Sequence, residues 1–315
     1  MNESVLVFHP SDPEAYLEAL GESARTEGLT LRAARSETEV ERAIGDAEVL
    51  FSANNFPVEQ LRAAARLRWI QVQGAGVNRW LDAGLPPGVR LSRTTGSFGP
   101  RMAEYALAYM LAVALRIPEA LANQADRRWQ ELPFTHLRGS TVAVAGVGDI
   151  GLQVARACAG LGARVVGLAR TPKQDSSLTA CYGPDELTLF VREADFVVVT
   201  LPLTRATRGL FGRPIFEAMK STAWIINMAR GPILHEADLI AALSLGVIGG
   251  AVLDVFEEEP LPPDHPLWAM PNVIVTPHHS GITWASEAVA AFCENLPRYR
   301  EGAPLVHEVD LGRGY

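Results

Sequence analysis

"TVAVAGVGDIGLQVARACAGLGARVVGLAR", residues 141–170, decides the fold of this 315-residue chain. An apolar run rich in valine and alanine breaks at Gly146, gives way to a helix-like stretch, and resumes as the apolar run "RVVGLA" (164–169). Strand, turn, helix and strand in that order make one parallel βαβ unit. Gly146, Gly148 and Gly151 stand in GxGxxG register. Gly146 allows a tight turn, Gly148 lets a pyrophosphate approach the backbone, and Gly151 lets helix and strand pack closely. The helix N-terminus then offers its unpaired N–H groups to the phosphates. A GxGxxG by itself is weak. With strand, helix and second strand in place it points to a bound dinucleotide rather than a ligand-free glycine turn.

The second strand runs into "VVGLARTPK" (165–173), where such a unit grips the ribose. A carboxylate at position 169 would accept the 2′-hydroxyl of NAD and repel the 2′-phosphate of NADP. The residue is Ala169, followed by Arg170, Thr171 and Lys173. The repulsion is gone, two cations and a hydroxyl are present, and Arg carries a fork suited to phosphate. This favours NADP(H), with NAD(H) possible. The plain alternative is a solvated loop that happens to be basic.

Outward from this unit the chain keeps the same rhythm. "ADFVVVTLP", "AWIINMA", "GGAVLDV" and "NVIVTP" complete a set of six near-continuous apolar runs, as expected of strands buried on both faces of a doubly wound sheet. Before residue 100, "VLVF" (5–8), "LTLRAA" (29–34), "AEVLFSA" (47–53), "LRWIQVQ" (67–73) and "VRLSRT" (89–94) alternate with amphipathic helical stretches. That pattern predicts a second parallel α/β sheet. "QGAGVNRWL" (73–81) is a glycine-punctuated turn entering a helix, and leaves backbone N–H groups free. "PRMAEYALAYMLAVALR" (100–116) is apolar nearly all round, so burial between domains or in a subunit interface is expected. "ADRRWQELPFTHLRGS" (125–140) reads as an irregular, partly exposed arm, and a closing helix is expected near 283–300.

Composition narrows the function. With 48% hydrophobic and 20% charged residues the chain is an ordinary globular protein, and a net charge of -8 argues against a nucleic-acid or anionic-membrane binder. Cys158, Cys181 and Cys293 lack CxxC spacing, so buried thiols in a reducing cytoplasm are expected rather than disulfides or a metal site. No apolar run approaches the ~20 residues of a membrane span, and "MNESVLVFHP" has no signal-peptide pattern, so a cytoplasmic location is expected.

Three further segments, "NMARGPILHEADL" (227–239), "AVLDVFEEEPLP" (251–262) and "VTPHHSG" (275–281), each follow an apolar strand. They fall at the carboxyl ends of strands, where open α/β sheets bind ligands. Together they supply an arginine, acids and a histidine, the parts needed to bind a carboxylate and move a proton beside a hydride donor. With "VQGAGVN", "LPLTRATRGLF" and the "VDLGRGY" tail, these segments give the chain its likeness to a family. It resembles the D-isomer-specific 2-hydroxyacid dehydrogenases, and within them the NADPH-preferring glyoxylate/hydroxypyruvate reductases, over nearly its whole length.

The resemblance implies a set of roles. Arg230 binds the substrate carboxylate and polarises the keto oxygen, Glu259 pairs with the catalytic histidine, and His278 is that histidine. Asp254 holds the nicotinamide carboxamide. Backbone N–H groups around Ala75, Gly76 and Val77 receive the substrate carboxylate. Asp149, Ile150, Leu201, Pro202, Thr207, Met228 and Ala229 join the glycines in binding cofactor. Within "SANNFP" (52–57), Asn54 and Asn55 either hydrogen-bond a polar group of the substrate or simply form a turn. His279 is expected to pack or face solvent. Leu234-His235 departs from the Val-Asp of many relatives and is expected to affect packing or helix entry rather than chemistry.

The implied architecture is α/β with two domains, a Rossmann-type doubly wound sheet inserted in a flavodoxin-like substrate domain. Its expected bounds are 1–98 and 284–315 for the substrate domain and 99–283 for the cofactor domain. Catalysis is expected in a cleft that closes to exclude water. The implied reaction is NADPH-dependent reduction of a small 2-keto acid to the 2-hydroxy acid by a homodimer. A bulkier 2-keto acid, or a dinucleotide-sensing regulator without turnover, are the alternatives.

Overall fold

The computed structural model describes residues 3–314. The chain divides into two compact units, one built from the chain up to Ser97 and from Thr283 onward, the other from Phe98–Ile282.

The first unit holds strands β1 (Ser4–Phe8), β2 (Thr30–Ala34), β3 (Val49–Ser52), β4 (Trp69–Val72) and β5 (Arg90–Arg93). All neighbours are parallel and the order is β2-β1-β3-β4-β5, the flavodoxin-like arrangement. Because alternate strand residues face opposite ways, the sheet feeds two cores. Leu6, Leu50 and Ile70 pack with Phe56 and Trp80 on one side. Val5, Val7, Phe51 and Trp69 pack with Phe292 and Leu296 on the other. Phe292 belongs to the closing helix Ala285–Arg300 and lies 4.9 Å from Trp69 and 5.0 Å from Phe51, centroid to centroid. Helix Pro13–Gly21 starts where its sequence says it should. Asp12 accepts the Ala15 N–H at 3.1 Å, and Pro13 fills the first turn, where no donor is needed.

The second unit has seven parallel strands, one more than the six apolar runs announce. They are β6 (Thr141–Ala145), β7 (Arg164–Leu168), β8 (Ala180–Tyr182), β9 (Phe196–Val199), β10 (Trp224–Asn227), β11 (Gly250–Leu253) and β12 (Val273–Val275). Only β8 escapes the sequence pattern. It is three residues long, half-buried and lacks an apolar run, and it exists because Val166, Gly167 and Leu168 offer a free edge to pair with. The order β12-β11-β10-β9-β6-β7-β8 is doubly wound, with the switch between β6 and β9. The inner strands β6, β9 and β11 are buried throughout, as both-face coverage requires.

The apolar stretch after residue 98 is less enclosed than its composition suggests. Helix Phe98–Ala114 buries Met102, Ala103, Ala106 and Met110. It lies so close to helix Asp149–Gly160 that a Cβ on Gly99 would sit 2.7 Å from Gln153 Cγ. At Arg116 the backbone turns left-handed (φ 56°), and helix Ile117–Ala125 leaves in a new direction. Leu115, Ile117 and Leu121 are exposed there, and Trp129 and Phe134 are exposed on the arm that follows. Among the described residues no single helix is long and apolar enough to cross a membrane, and no group of three His, Cys, Asp or Glu side chains is placed to hold a metal ion.

Candidate active site

The glycine turn is built as tightly as its spacing demands. Gly146 adopts φ 101°, closed to side chains, and a Cβ on Gly151 would lie 2.0 Å from Gly146 O. Around Gly148, by contrast, a Cβ would meet nothing within 4 Å. Helix Asp149–Gly160 begins at the next residue, with Asp149 exposed and Ile150 half-buried. A forbidden conformation, a forced close approach, open space and a helix start in succession fit the diphosphate of a dinucleotide. Thr200, just past β9, donates to Gly146 O at 2.7 Å and holds the turn in place.

Beyond β7 the basic loop folds back over this turn. Lys173 Nζ donates to Val147 O at 3.4 Å, and Arg170 and Thr171 are exposed beside it. An acid does occur nearby, at Asp175. Ser177 and Arg156 hold its carboxyl down at about 2. Arg156 pairs with it at 3.0 Å, so its charge is matched. On the far side of the switch point Leu201 is half-buried and Pro202 exposed. Thr207 donates its hydroxyl proton to Pro202 O at 2.6 Å. That proton closes a turn, and the same hydroxyl oxygen accepts the Thr204 N–H at 2.8 Å.

Arg230 follows β10 and owes its place to its neighbours. Asn227 Nδ2 donates to Arg230 O at 3.0 Å, and Asn227 Oδ1 accepts the Ala229 N–H at 3.2 Å. Met228 and Ala229 are buried within this staple. Next comes Gly231, whose Cβ would lie 1.9 Å from Phe256 C, so the arginine loop rests directly on the backbone leading to Glu259. The Arg230 guanidinium donates to Ala229 O at 2.5 Å, and its charge reaches Glu259.

Glu259 and His278 meet. Their Oε2 and Nδ1 are 2.7 Å apart, and Glu259 Oε1 accepts the Phe256 N–H at 2.9 Å. Burial alone would push the Glu259 carboxyl up. The His278 imidazole, the Phe256 N–H and the Arg230 charge outweigh it and hold the carboxyl below its ordinary value. A carboxylate on Nδ1 leaves Nε2 of the half-exposed imidazole for a substrate.

Asp254 is enclosed by its own loop. The resemblance sets it against the nicotinamide carboxamide, yet it is 0% exposed. Its Oδ1 accepts the Thr276 hydroxyl at 2.6 Å and the His279 N–H at 2.9 Å, and its Oδ2 accepts the Ser280 N–H at 3.0 Å. A carboxyl group cut off from water needs hydrogen-bond partners for its oxygens, and here the protein supplies them. In this arrangement Asp254 holds residues 276–280 together. His279 packs edge-on against Tyr105, centroids 5.9 Å apart.

In the other unit, the turn at Ala75, Gly76 and Val77 leads from β4 into helix Asn78–Ala83. Arg93, at the end of β5, donates to Ala75 O at 3.1 Å. The exposed Asn54 lies over Gly74, its Nδ2 3.0 Å from where a Cβ would be.

The residues that tie these loops together share one sequence signal. Thr200, Asn227, Asp254 and Thr276 are each the polar residue that ends an apolar strand, in "VVVT", "IIN", "VLD" and "VIVT". At the carboxyl end of a parallel strand such a residue reaches the loops that form the ligand-binding rim. Tyr105 and Arg93 leave no comparable trace.

An open α/β sheet with a dinucleotide turn and an Arg, Glu and His set at its strand ends defines a nicotinamide-dependent oxidoreductase. Residues 107–280 match the family model described as D-isomer specific 2-hydroxyacid dehydrogenase, NAD binding domain, and the chain belongs to that family. A glyoxylate/hydroxypyruvate reductase A from Photorhabdus laumondii is 37% identical, over 82% of this chain and 85% of that protein. A D-isomer specific 2-hydroxyacid dehydrogenase from Xanthobacter autotrophicus, solved in complex with NADPH and MES, superposes with TM-score 0.89 at 33% identity over all of both chains. An NADPH-dependent glyoxylate/hydroxypyruvate reductase from Sinorhizobium meliloti, solved with NADP and sulfate, superposes with TM-score 0.90 at 29% identity, again over all of both chains.

Proposed function

We propose that this protein reduces a small 2-keto acid of the glyoxylate or hydroxypyruvate type to the 2-hydroxy acid, with NADPH preferred over NADH. The observation that carries the reading is the Glu259–His278 pair, at the strand ends of a sheet whose glycine turn fits a dinucleotide. The names and bound nucleotides of the relatives support it.

Gly146, Gly148, Asp149, Ile150 and Gly151 would hold the diphosphate, and Arg170, Thr171 and Lys173 the 2′-phosphate. Leu201, Pro202, Met228 and Ala229 would line the rest of the cofactor's path. When bound, the nicotinamide supplies the hydride that reduces the keto carbon.

The chain's own residues manage charge and proton. Arg230 is permanently charged, grips the substrate carboxylate, and stabilises the negative charge that develops on the keto oxygen. In the first unit, the backbone N–H groups of Ala75, Gly76 and Val77, together with Asn54, are offered as substrate-binding groups. His278 delivers its Nε2 proton to that oxygen. Glu259, acceptor at Nδ1, stabilises the imidazolium before transfer and fixes the ring for it. The exposed apolar side chains of Leu115, Ile117, Leu121, Trp129 and Phe134 support a homodimer, which light scattering would test.

The deciding experiment is a panel of 2-keto acids, from glyoxylate to phenylpyruvate, assayed with NADPH and NADH side by side. The reading expects the highest kcat/KM for a small acid with NADPH. No turnover anywhere on the panel would overturn it.

A further inference from the structure

We propose that Tyr105, on helix Phe98–Ala114, is a positioning residue for His278, acting through a directional chain of hydrogen bonds over Thr276 and Asp254. The inference rests on the reading of His278 as proton donor and adds a residue far from it in sequence.

His278 has φ 52°, in the left-handed region that a residue with a side chain rarely holds. Such a conformation persists only where its surroundings over-determine it. Here Asp254 does so from both ends. Its backbone O accepts the His278 N–H at 2.9 Å, and its carboxylate takes the N–H groups of His279 and Ser280. The backbone of His278 and of the two residues after it is therefore tied to one buried residue, by its carbonyl at His278 and by its side chain at His279 and Ser280.

That side chain is tied in turn to the helix. Thr276 Oγ1 lies 2.6 Å from Asp254 Oδ1 and 2.7 Å from Tyr105 Oη. The carboxylate accepts, so the single hydroxyl proton of Thr276 goes to Asp254. Tyr105 must then be the donor to Thr276. Tyr105 O–H to Thr276 O–H to Asp254 is thus a one-way chain in which each donor polarises the next. All three groups are buried, so water cannot replace a missing member at no cost. The Tyr105 ring also supports His279 edge-on, which fixes the loop immediately after the catalytic position.

The test uses the enzyme and five variants: Tyr105→Phe, Thr276→Val, the double variant that combines these two, Thr276→Ser and His278→Gln. Single-turnover reduction is followed with saturating NADPH in H2O and D2O. Separately, the imidazole Nδ1–H of the cofactor-free protein is observed by proton NMR, its downfield signal assigned by its loss in His278→Gln. Tyr105→Phe and Thr276→Val are each expected to slow turnover by about ten-fold, part of the larger factor a positioned acid supplies. KM for the keto acid should hold, the solvent isotope effect should rise, and the Nδ1–H signal should broaden. Their double variant should be no worse than either alone, since both cut one chain. Thr276→Ser, which keeps the hydroxyl, should restore both rate and signal.

Wild-type rate and Nδ1–H signal in Tyr105→Phe, with His278→Gln inactive, would overturn the positioning role alone. Full activity in His278→Gln would overturn the underlying reading instead. Equal losses in Thr276→Ser and Thr276→Val would show that shape rather than the hydroxyl matters, and would also sink the proposal.

Discussion

His278 Nδ1 lies 2.7 Å from Glu259 Oε2, and the same glutamate takes the Phe256 N–H on its other oxygen. One carboxylate thus fixes both the ring and the loop that carries the acid. Its own titration follows from that setting. Because the Glu259 carboxyl is held below the ordinary 4.5, its pairing is complete above that value and is lost as pH falls through the depressed one. Keto-acid reduction should therefore keep its rate down to a pH below 4.5 before this carboxyl protonates. Glu259→Gln should remove that acid limb from the pH profile of kcat/KM and lower kcat on the order of 10–100-fold. An unchanged acid limb in the variant would assign it to another group.

The last two glycines of the turn should respond in opposite ways. Gly151→Ala places a methyl 2.0 Å from Gly146 O and is expected to cost about 1–3 kcal/mol of stability, read as a fall in Tm. Gly148→Ala meets nothing within 4 Å, so Tm should hold while Kd for NADPH rises. Loss of Tm in both, or in neither, would contradict the packing described.

Cofactor choice should follow the basic loop. Arg170→Ala combined with Lys173→Ala is expected to raise KM for NADPH by about 10–100-fold, the worth of one or two charge-assisted bonds, and to leave KM for NADH nearly unchanged. Ala169→Asp should lower the NADPH to NADH ratio further by adding repulsion. Parallel losses for both cofactors would show that the loop supports the fold and does not read the phosphate.

Arg230→Lys keeps the charge and loses the planar fork. A drop in kcat/KM of about 10²-fold is expected, with Tm and Kd for NADPH intact. Wild-type kcat/KM would place the carboxylate elsewhere.

Burial pushes the Cys158 thiol up to about 12, so almost none of it is thiolate at pH 8. A thiol reagent at that pH should modify Cys158 only after denaturation. Mass spectrometry of the labelled native protein checks this, and prompt labelling would mean that helix Asp149–Gly160 opens readily.

Legibility in the sequence was uneven, and the reasons are physical. The strands β1, β6 and β9 can be read from their apolar runs because burial on both faces excludes polar residues. The edge strand β8 cannot, since it is held by pairing with β7 rather than by a core of its own. The helix Phe98–Ala114 is apolar nearly all round, yet its composition does not say that Tyr105 would turn a hydroxyl toward Thr276. Asp254 shows the same limit from the other side. Its position after β11 marks it as a rim residue, while its hydrogen bonds to Thr276, His279 and Ser280 are set by the folded loop.

What the residues alone determined, then, is the pair of parallel α/β sheets and the glycine turn between β6 and its helix. Those features depend on neighbours a few positions apart, through side-chain period, φ freedom and helix-end chemistry. The tertiary structure decided which polar groups became partners. Glu259 and His278 are 19 residues apart and Tyr105 and Thr276 are 171 apart. A hydrogen bond at such separation is chosen by strand register and loop packing, which no local pattern of residues encodes.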